Sequence, residues 1–321
     1  MIQVENLVKK YGSHTAVDHL SFTVEKGQTY GFLGPNGAGK STTMNIMTGY
    51  IAAGSGTVTI NGYDILKQPE EAKKCIGYLP EVPPLYTDMT VREYLFFVAE
   101  LKKVPKKERA DHVSEIMEKI QLTDMQKRLI RNLSKGYKQR VGMAQALIGD
   151  PEVLILDEPM VGLDPKQIIE MRDLIRNLAK EHTIILSSHI LSEVSAVCDH
   201  IMIISHGKLA ASGSPQELQE MMHTKAELEI TLIGTSKLAE EILQNIDGID
   251  SYEIESAEEE NSIKIRVETA GGKDMRKELS LALSKENMPI LSMNRVEKSL
   301  EDIFLELTEG EKEDSDDDSD L

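Results

Sequence analysis

The chain has 321 residues, of which 36 are basic and 54 acidic, giving a formal net charge of −18. This length suggests two or three domains, the acidity argues against a nucleic-acid partner because phosphate neutralisation supplies most of that affinity, and two cysteines exclude a disulfide scaffold. Because the sequence has neither an apolar run long enough to span a membrane nor a signal-peptide core, we expect a soluble cytosolic protein.

Strand-like and helical segments alternate along the first two thirds of the chain. Strands are predicted at 2–10, 18–24, 28–33, 54–60, 75–79, 153–156, 183–187 and 201–205. Helices are predicted from the glycine-rich segment to Met47, within 90–146, at 168–179 and at 191–197. This alternation indicates an α/β fold, with a mostly parallel sheet covered by helices.

The pattern changes after Met222. Apolar alternation predicts strands near 228–232, 252–254, 263–267 and 290–296, with helices near 238–246 and 275–282. The resulting order, βαββαβ, is that of a small ferredoxin-like α+β domain. One more helix is predicted from an apolar stripe, which packs either on its own domain or on a partner: Leu300, Ile303, Phe304 and Leu307.

The last segment, 309–321, carries eight acidic side chains and one basic side chain. We expect this tail to be disordered, since it has almost no apolar residues to bury. It serves either to keep the protein soluble or to bind a partner.

A glycine-rich segment follows the third predicted strand and fits the phosphate-loop pattern G-x-x-x-x-G-K-[ST]. Glycines allow backbone N–H groups to approach phosphates closely, and the N-terminus of the following helix adds positive potential. Lys40 is predicted to reach the β- and γ-phosphates and Ser41 to bind Mg²⁺. The predicted ATP-binding residues of this loop are Gly34, Pro35, Asn36, Gly37, Ala38, Gly39, Lys40, Ser41 and Thr42.

Two carboxylates follow the apolar strand at 153–156. Ligands of open α/β sheets bind at the carboxyl ends of the strands, which is where Asp157 and Glu158 are expected. Asp157 suits the Mg²⁺ shell, and Glu158 is placed to take a proton from an attacking water. Taken alone, this pair could simply be a solvated loop; combined with a phosphate loop it predicts an NTPase.

Three further motifs narrow this prediction: Leu133–Arg140 (LSKGYKQR), Gly162–Asp164 (GLD) and Ser187–His189 (SSH). With them, residues 1–222 resemble the ATP-binding subunit of an ABC transporter, including a helical subdomain at about 88–146. Residues 225–308 look like the C-terminal accessory domain of some ABC-2-type exporter ATPases, such as those linked to gliding motility.

The resemblance implies roles for individual residues. Tyr11 would stack on adenine, and His189 would contact the γ-phosphate during catalysis. Ser134 and Gly136 would bind the γ-phosphate of a second subunit's ATP, and Asp164 would lie at the interface between the two subunits. The family forms a head-to-tail dimer that encloses two ATP molecules.

Four positions depart from the commoner family pattern. Lys135 and Tyr137 change the usual LSGGQ signature to LSKGY, and Met160 replaces a common Thr or Ser. Glu81 occupies the position of the usual hinge-loop glutamine. A carboxylate there can bind Mg²⁺, so we interpret Glu81 as a metal ligand and a mark of the ABC-2-type subgroup.

The sequence therefore predicts an ATPase that dimerises around two ATP and drives transport, by resemblance export. Having no membrane span, it would need a separate integral-membrane permease, which would hold it at the inner face of the cell membrane. The alternatives are a soluble ABC ATPase without a transport function, or a C-terminal domain that senses a small ligand.

Overall fold

The computed structural model describes residues 1–221, 226–257, 261–269 and 273–296. By internal contacts, the chain forms two compact units, and it passes from the first to the second between Pro215 and Gln216. The predicted helix at Leu300–Leu307 and the predicted disordered tail at 309–321 lie outside the described residues.

The described strands, numbered along the chain, are β1 (Ile2–Tyr11), β2 (His14–Val24), β3 (Thr29–Leu33), β4 (Ser55–Ile60), β5 (Tyr63–Asp64), β6 (Ile76–Leu79), β7 (Val153–Leu156), β8 (Thr183–Ser188), β9 (His200–Ser205), β10 (Lys208–Gly213), β11 (Ala226–Ile233), β12 (Ile249–Ser256), β13 (Ser262–Thr269) and β14 (Ile290–Val296). The described helices are α1 (Lys40–Met47), α2 (Pro69–Lys74), α3 (Val91–Leu101), α4 (Arg109–Lys119), α5 (Lys135–Leu147), α6 (Pro165–Leu178), α7 (Leu191–Ser195), α8 (Pro215–Met221), α9 (Ser236–Leu243) and α10 (Arg276–Lys285).

The main sheet of the first unit has six strands in the order β10-β9-β3-β8-β7-β6. All neighbours are parallel except β9 and β10, which are antiparallel. All four side chains of β7 are buried, as expected for a parallel strand that is covered on both faces. The carboxyl ends of β3, β7 and β8 therefore lie side by side at one edge of the sheet.

A second sheet of the first unit has four antiparallel strands in the order β2-β1-β4-β5. Its inner face packs on α1 and β3 in a shared core that includes Leu7, Leu20, Phe32 and Met44. Phe22 contacts Phe32 edge-on, with ring centroids 5.1 Å apart. This core holds α1 against the second sheet. The phosphate loop, which precedes α1, therefore lies close to Tyr11 at the end of β1.

Helices α3, α4 and α5 form the predicted helical subdomain. Helix α3 begins with a capping box, in which the Thr90 hydroxyl accepts a hydrogen bond from the Glu93 N–H and the Glu93 carboxylate accepts one from the Thr90 N–H. Helix α5 lies very close to the loop after β6, since a Cβ at Gly142 would be 2.8 Å from Pro83 Cγ. The region at 90–146, predicted to be helical, thus contains three α-helices, which are joined by the segment 102–108 and by a longer segment, 120–134, with two 3-10 helices at Thr123–Met125 and Ile130–Asn132.

The second unit has the element order β11-α9-β12-β13-α10-β14. Its four antiparallel strands are arranged β12-β13-β11-β14. Alternate residues of β11 and β13 are buried, including Leu228, Ile230, Ile265 and Val267, and they share a core with α9 and α10. Among the helices of the described residues, none combines the length and apolar character needed to cross a bilayer.

Candidate functional site

The phosphate loop runs from the end of β3 to the start of α1. Gly39 has a φ of 105°, and a Cβ there would be 2.4 Å from the Ala16 carbonyl oxygen, so only glycine fits. A Cβ at Gly34 would be 2.4 Å from the Ile204 carbonyl oxygen. Pro35, Asn36 and Gly37 are exposed, which leaves the outer part of the loop open to a ligand.

The Lys40 side chain is folded back under this loop. It is 5% exposed, and its Nζ donates hydrogen bonds to the Gly34 oxygen at 2.6 Å and the Pro35 oxygen at 3.2 Å. Burial lowers the pKa of Lys40, while the carboxylates of Glu158 and Asp157 oppose that shift. The ammonium group is therefore a buried cation that lies 3.8 Å from a Glu158 carboxylate oxygen, beside a loop whose open face suits anions.

Asp157 is held by two hydroxyl groups. Ser41 Oγ donates to Asp157 Oδ1 at 3.2 Å, and Ser187 Oγ donates to the same oxygen at 2.6 Å. Because Asp157 follows β7, Ser187 lies at the end of β8 and Ser41 is in the first turn of α1, the three residues meet at the carboxyl edge of the sheet. Ser41 and Asp157, each predicted to bind Mg²⁺, are thus in direct contact.

Glu158 lies between Lys40, which is predicted to bind phosphates, and His189, which is predicted to contact the γ-phosphate. Its carboxylate is 3.8 Å from Lys40 Nζ and 3.1 Å from His189 Nδ1. Its φ of 47° is in the left-handed region, and its N–H donates to Ser187 Oγ at 2.8 Å. Such backbone strain concentrates at functional sites, where the surrounding structure imposes it.

These groups open onto a cavity of about 360 Å³. Its walls come from the phosphate loop, β1, β2, the loop after β6, the loop after β7 and the loop after β8. They are formed by Tyr11, His14, Ala16, Asn36, Gly37, Gly39, Lys40, Ser41, Thr42, Glu81, Glu158, Val161 and His189. Tyr11 is 52% exposed at the mouth, with Lys9 Nζ 5.4 Å from its ring centroid.

The signature residues Ser134 and Gly136, and the predicted interface residue Asp164, do not line this cavity. Ser134 caps the N-terminus of α5, and Asp164 caps α6 by accepting a hydrogen bond from the Gln167 N–H at 2.9 Å. Gly136 and Asp164 line a separate cavity of about 430 Å³. Among the described residues, none lines both this cavity and the one at Lys40. One copy therefore brings together the phosphate loop, Asp157, Glu158, Glu81, His189 and Tyr11, but not the signature group.

The sequence predicts no role for Ser187 beyond its place in the SSH motif. In the structure it is fully buried and joins the Asp157 carboxylate to the Glu158 backbone. Its position at the carboxyl end of a strand next to β7 is the signal that indicates this role. His14 and Val161 also line the cavity without a matching motif.

The oxygen donors at the base of the cavity fit Mg²⁺, which prefers carboxylate and hydroxyl oxygens and binds substrate phosphates as well. Asp157 Oδ1 already accepts from two hydroxyl groups, and Glu81 lines the same cavity. Within the described ranges, no group of three or more His, Cys, Asp or Glu could hold a metal by itself. A metal here would therefore need the phosphates of a bound nucleotide to complete its shell.

Comparison with known proteins identifies the family of this arrangement. The family described as ABC transporter matches residues 17–161. The bacitracin transport ATP-binding protein BcrA of Bacillus licheniformis is 40% identical over 97% of this chain and 98% of its own. The linearmycin resistance ATP-binding protein LnrL of Bacillus subtilis is 33% identical over 96% and 98% of the two chains.

Solved structures confirm the predicted cassette fold. An ATP-binding subunit of an ABC transporter is 29% identical, covers 69% of this chain and 92% of its own, and has a TM-score of 0.63. The cbiO1 protein of Clostridium perfringens, part of the ABC transporter complex cbiONQ, is 25% identical over 76% and 95% of the two chains, with a TM-score of 0.63.

Proposed function

Since this chain belongs to the family of ABC transporter ATP-binding proteins, which are ATPases, we propose that the cavity at Lys40 binds and hydrolyses ATP to drive transport. One observation carries this proposal. A glycine-rich loop, a buried lysine, the Asp157–Glu158 pair and His189 converge on one cavity at the carboxyl edge of a parallel sheet. This combination suits phosphoryl transfer, in which positioning and charge stabilisation dominate.

In the proposed complex, the phosphates lie over the phosphate loop. Lys40 exchanges its bonds to the Gly34 and Pro35 oxygens for bonds to phosphate oxygens, which are stronger because both groups are charged. The Tyr11 ring, exposed at the mouth, stacks on the base. Ser41, Asp157 and Glu81 would hold Mg²⁺, which when bound neutralises charge on the phosphates.

For hydrolysis, we assign Glu158 as the general base. Its carboxylate accepts a proton from the attacking water, and this kind of assistance contributes roughly 10²- to 10⁴-fold to rate. His189 holds that carboxylate through Nδ1 at 3.1 Å, and it lines the cavity where the γ-phosphate would lie. Ser187 fixes the Glu158 backbone from beneath.

We further propose a head-to-tail homodimer that encloses two ATP. The separation of Gly136 and Asp164 from the Lys40 cavity supports this, because a single copy leaves its ATP without signature contacts. Ser134 begins α5, so the N–H groups of that helix N-terminus suit a phosphate brought by the second copy.

A separate integral-membrane permease is the proposed second partner, and it would place the protein at the inner face of the membrane. A cavity of about 680 Å³ between α5 and the loop after β6 supports docking on the helical subdomain. Exposed apolar side chains, Tyr50 and Val82, each 79% exposed, stand at its wall.

For the C-terminal unit, we propose a ferredoxin-like accessory domain that spans about 225–308, after a cassette at 1–222. Its element order and its strand order β12-β13-β11-β14 support that fold. The two Bacillus relatives, similar over nearly their whole length and named for bacitracin transport and linearmycin resistance, support export of an antimicrobial compound.

The experiment that tests this function is a pull-down. Tagged Glu158→Gln protein is incubated with ATP and detergent-solubilised native membranes, and the captured proteins are identified by mass spectrometry. We expect a multi-span membrane protein in near-stoichiometric amount, lost when Lys40→Ala is added. Recovery of ribosomes or DNA-repair factors instead would favour an ABC ATPase without transport.

A further inference from the structure

A small cavity of about 210 Å³ separates the N-terminal half of α5 from the loop after β6. The helix contributes Lys135, Lys138 and Gln139, which share one face because they are three and four residues apart. The loop contributes Glu81, which also lines the nucleotide cavity. Glu81 thus stands at the boundary between the two spaces.

Residues of the loop after β6 divide between the two cavities. Pro80 and Pro84 line the large cavity of about 680 Å³, Glu81 and Pro83 line the small one, and Val82 lines both. Glu81 therefore lines the small cavity and not the large one.

One of the residues that line the small cavity has an unsatisfied donor. Gln139 is 2% exposed, and its buried Nε2 has no hydrogen-bond partner among the described residues. Leaving a buried amide unpaired costs free energy, so such a group calls for a partner in some state of the protein. Because Gln139 lines the cavity, a turn of its side chain would bring this amide to an acceptor there.

The two lysines add positive charge to the same wall. No ion pair involves Lys135, Lys138 or Glu81 in the parts of the chain that the structure describes. The Lys135 side chain lies close to Gly162, since a Cβ added at Gly162 would be 2.0 Å from Lys135 Nζ. The wall thus offers an amide donor and two cations, and the carboxylate that could satisfy them lines the same cavity.

We propose that the Glu81 carboxylate has a second, resting position in this cavity, where it accepts a hydrogen bond from Gln139 Nε2 and faces Lys135 and Lys138. This inference rests on the proposed function in that binding of Mg²⁺ and ATP draws Glu81 back to the nucleotide cavity. Gln139 and Lys135 are then positioning residues, which set how readily Glu81 becomes available. Glu81 and Lys135 both depart from the commoner family pattern, and in the resting position their opposite charges attract each other.

The test is a double-mutant cycle on nucleotide affinity, without turnover. The dissociation constant of Mg-ATP is measured in the Glu158→Gln background for the parent, Gln139→Met, Glu81→Ala and the double variant. The resting position competes with Mg-ATP for the Glu81 carboxylate. Gln139→Met weakens that position, so it should tighten Mg-ATP binding by about fivefold, the scale of one hydrogen bond. In the Glu81→Ala background the same change should do nothing.

Gln145→Met is the control for loss of an amide from the same helix, since Gln145 lines the large cavity and its oxygen accepts a hydrogen bond from the Tyr94 hydroxyl. We expect it to leave the affinity unchanged. Lys135→Met should tighten binding and Lys135→Arg should restore the parental value. An unchanged affinity in Gln139→Met, or equal tightening with and without Glu81, would overturn the proposal.

A nucleotide-free readout separates this proposal from the proposed function. The chain has no tryptophan, and Val82 is 79% exposed beside Glu81, so Val82→Trp reports on the loop. Without nucleotide, Gln139→Met should shift its emission, and identical spectra would overturn the resting position. Failure of the Glu158→Gln protein to bind Mg-ATP would instead overturn the nucleotide site, and the spectra would still decide the resting position.

Discussion

His189 Nδ1 lies 3.1 Å from Glu158 Oε2, at the point where the loops after β8 and β7 meet. The contact joins a half-exposed ring to a carboxylate that is only 9% exposed. Because Glu158 also lies 3.8 Å from Lys40 Nζ, its carboxylate stands between an imidazole ring and a buried ammonium group.

Glu158→Gln should bind ATP with near-parental affinity and lose at least about 100-fold in hydrolysis, because the amide keeps the shape but cannot take a proton. Phosphate release and equilibrium binding measure the two effects. Glu152→Gln is the control, since Glu152 forms only an exposed pair with Lys26 just before β7. Retained turnover in the Glu158 variant would rule out the assigned base.

Lys40→Ala should weaken ATP binding by roughly 10- to 100-fold, the scale of a charge-assisted hydrogen bond. It also removes the bonds that Nζ makes to the Gly34 and Pro35 oxygens. Titration calorimetry checks the affinity, with the exposed Lys26→Ala as the control. Equal affinity in parent and variant would mean that nucleotide binds elsewhere.

Mixing two inactive variants should restore activity. Lys40→Ala disables the phosphate loop, and Gly136→Asp disables the signature position, which lines a different cavity. In a head-to-tail dimer a mixed pair has one site with both lesions and one intact site, so equimolar mixing should recover on the order of a quarter of the parental rate. No recovery after subunit exchange would argue against sites shared between copies.

Gly39→Ala should abolish nucleotide binding and lower the unfolding free energy by several kcal/mol, since both its φ of 105° and the Ala16 oxygen oppose a Cβ. Gly62→Ala separates the two causes: its φ is 86° and no atom lies within 4 Å. We expect about 1 kcal/mol there, from strain alone. Urea denaturation measures both, and similar losses would show that the close contact is unimportant.

The capping box of α3 should make stability depend on pH. Hydrogen bonds from the Thr90 backbone and side chain lower the pKa of Glu93. The folded protein therefore binds this proton less readily than the unfolded chain, and the contribution of Glu93 is present at neutral pH and disappears as the pH falls through its lowered folded-state pKa. Glu93→Gln should reduce the urea midpoint at pH 7 and match the parent at acidic pH; a difference that is constant with pH would contradict this.

Much of the site follows from the sequence because local rules and sheet geometry agree. The apolar run of β7 requires burial on both faces, so Asp157 and Glu158 must emerge at the edge where the phosphate loop starts α1. The loop pattern itself demands glycine at position 39. Neither conclusion needs knowledge of distant contacts.

Other features could not be predicted from the sequence because they depend on contacts between distant parts of the chain or on how a helix is capped. Helix α6 begins at Pro165, three residues before the predicted start, because Asp164 caps it and proline suits the first turn. Strand β10 was not predicted, since four of its residues, 210–213, are small and its pairing with β9 decides its structure. The unpaired Nε2 of Gln139 depends on the loop that α5 meets, and no local pattern reports it.

Within one copy of the chain, Gly136 and Asp164 do not line the Lys40 cavity. This separation should make ATPase activity depend on the protein concentration. In the proposed dimer, a lone copy would hold a nucleotide without the signature contacts of a second copy, so dilution alone should silence it. In solution, turnover should rise with the square of chain concentration until pairing saturates. A membrane assembly that holds two copies side by side would replace this second-order dependence with a first-order one.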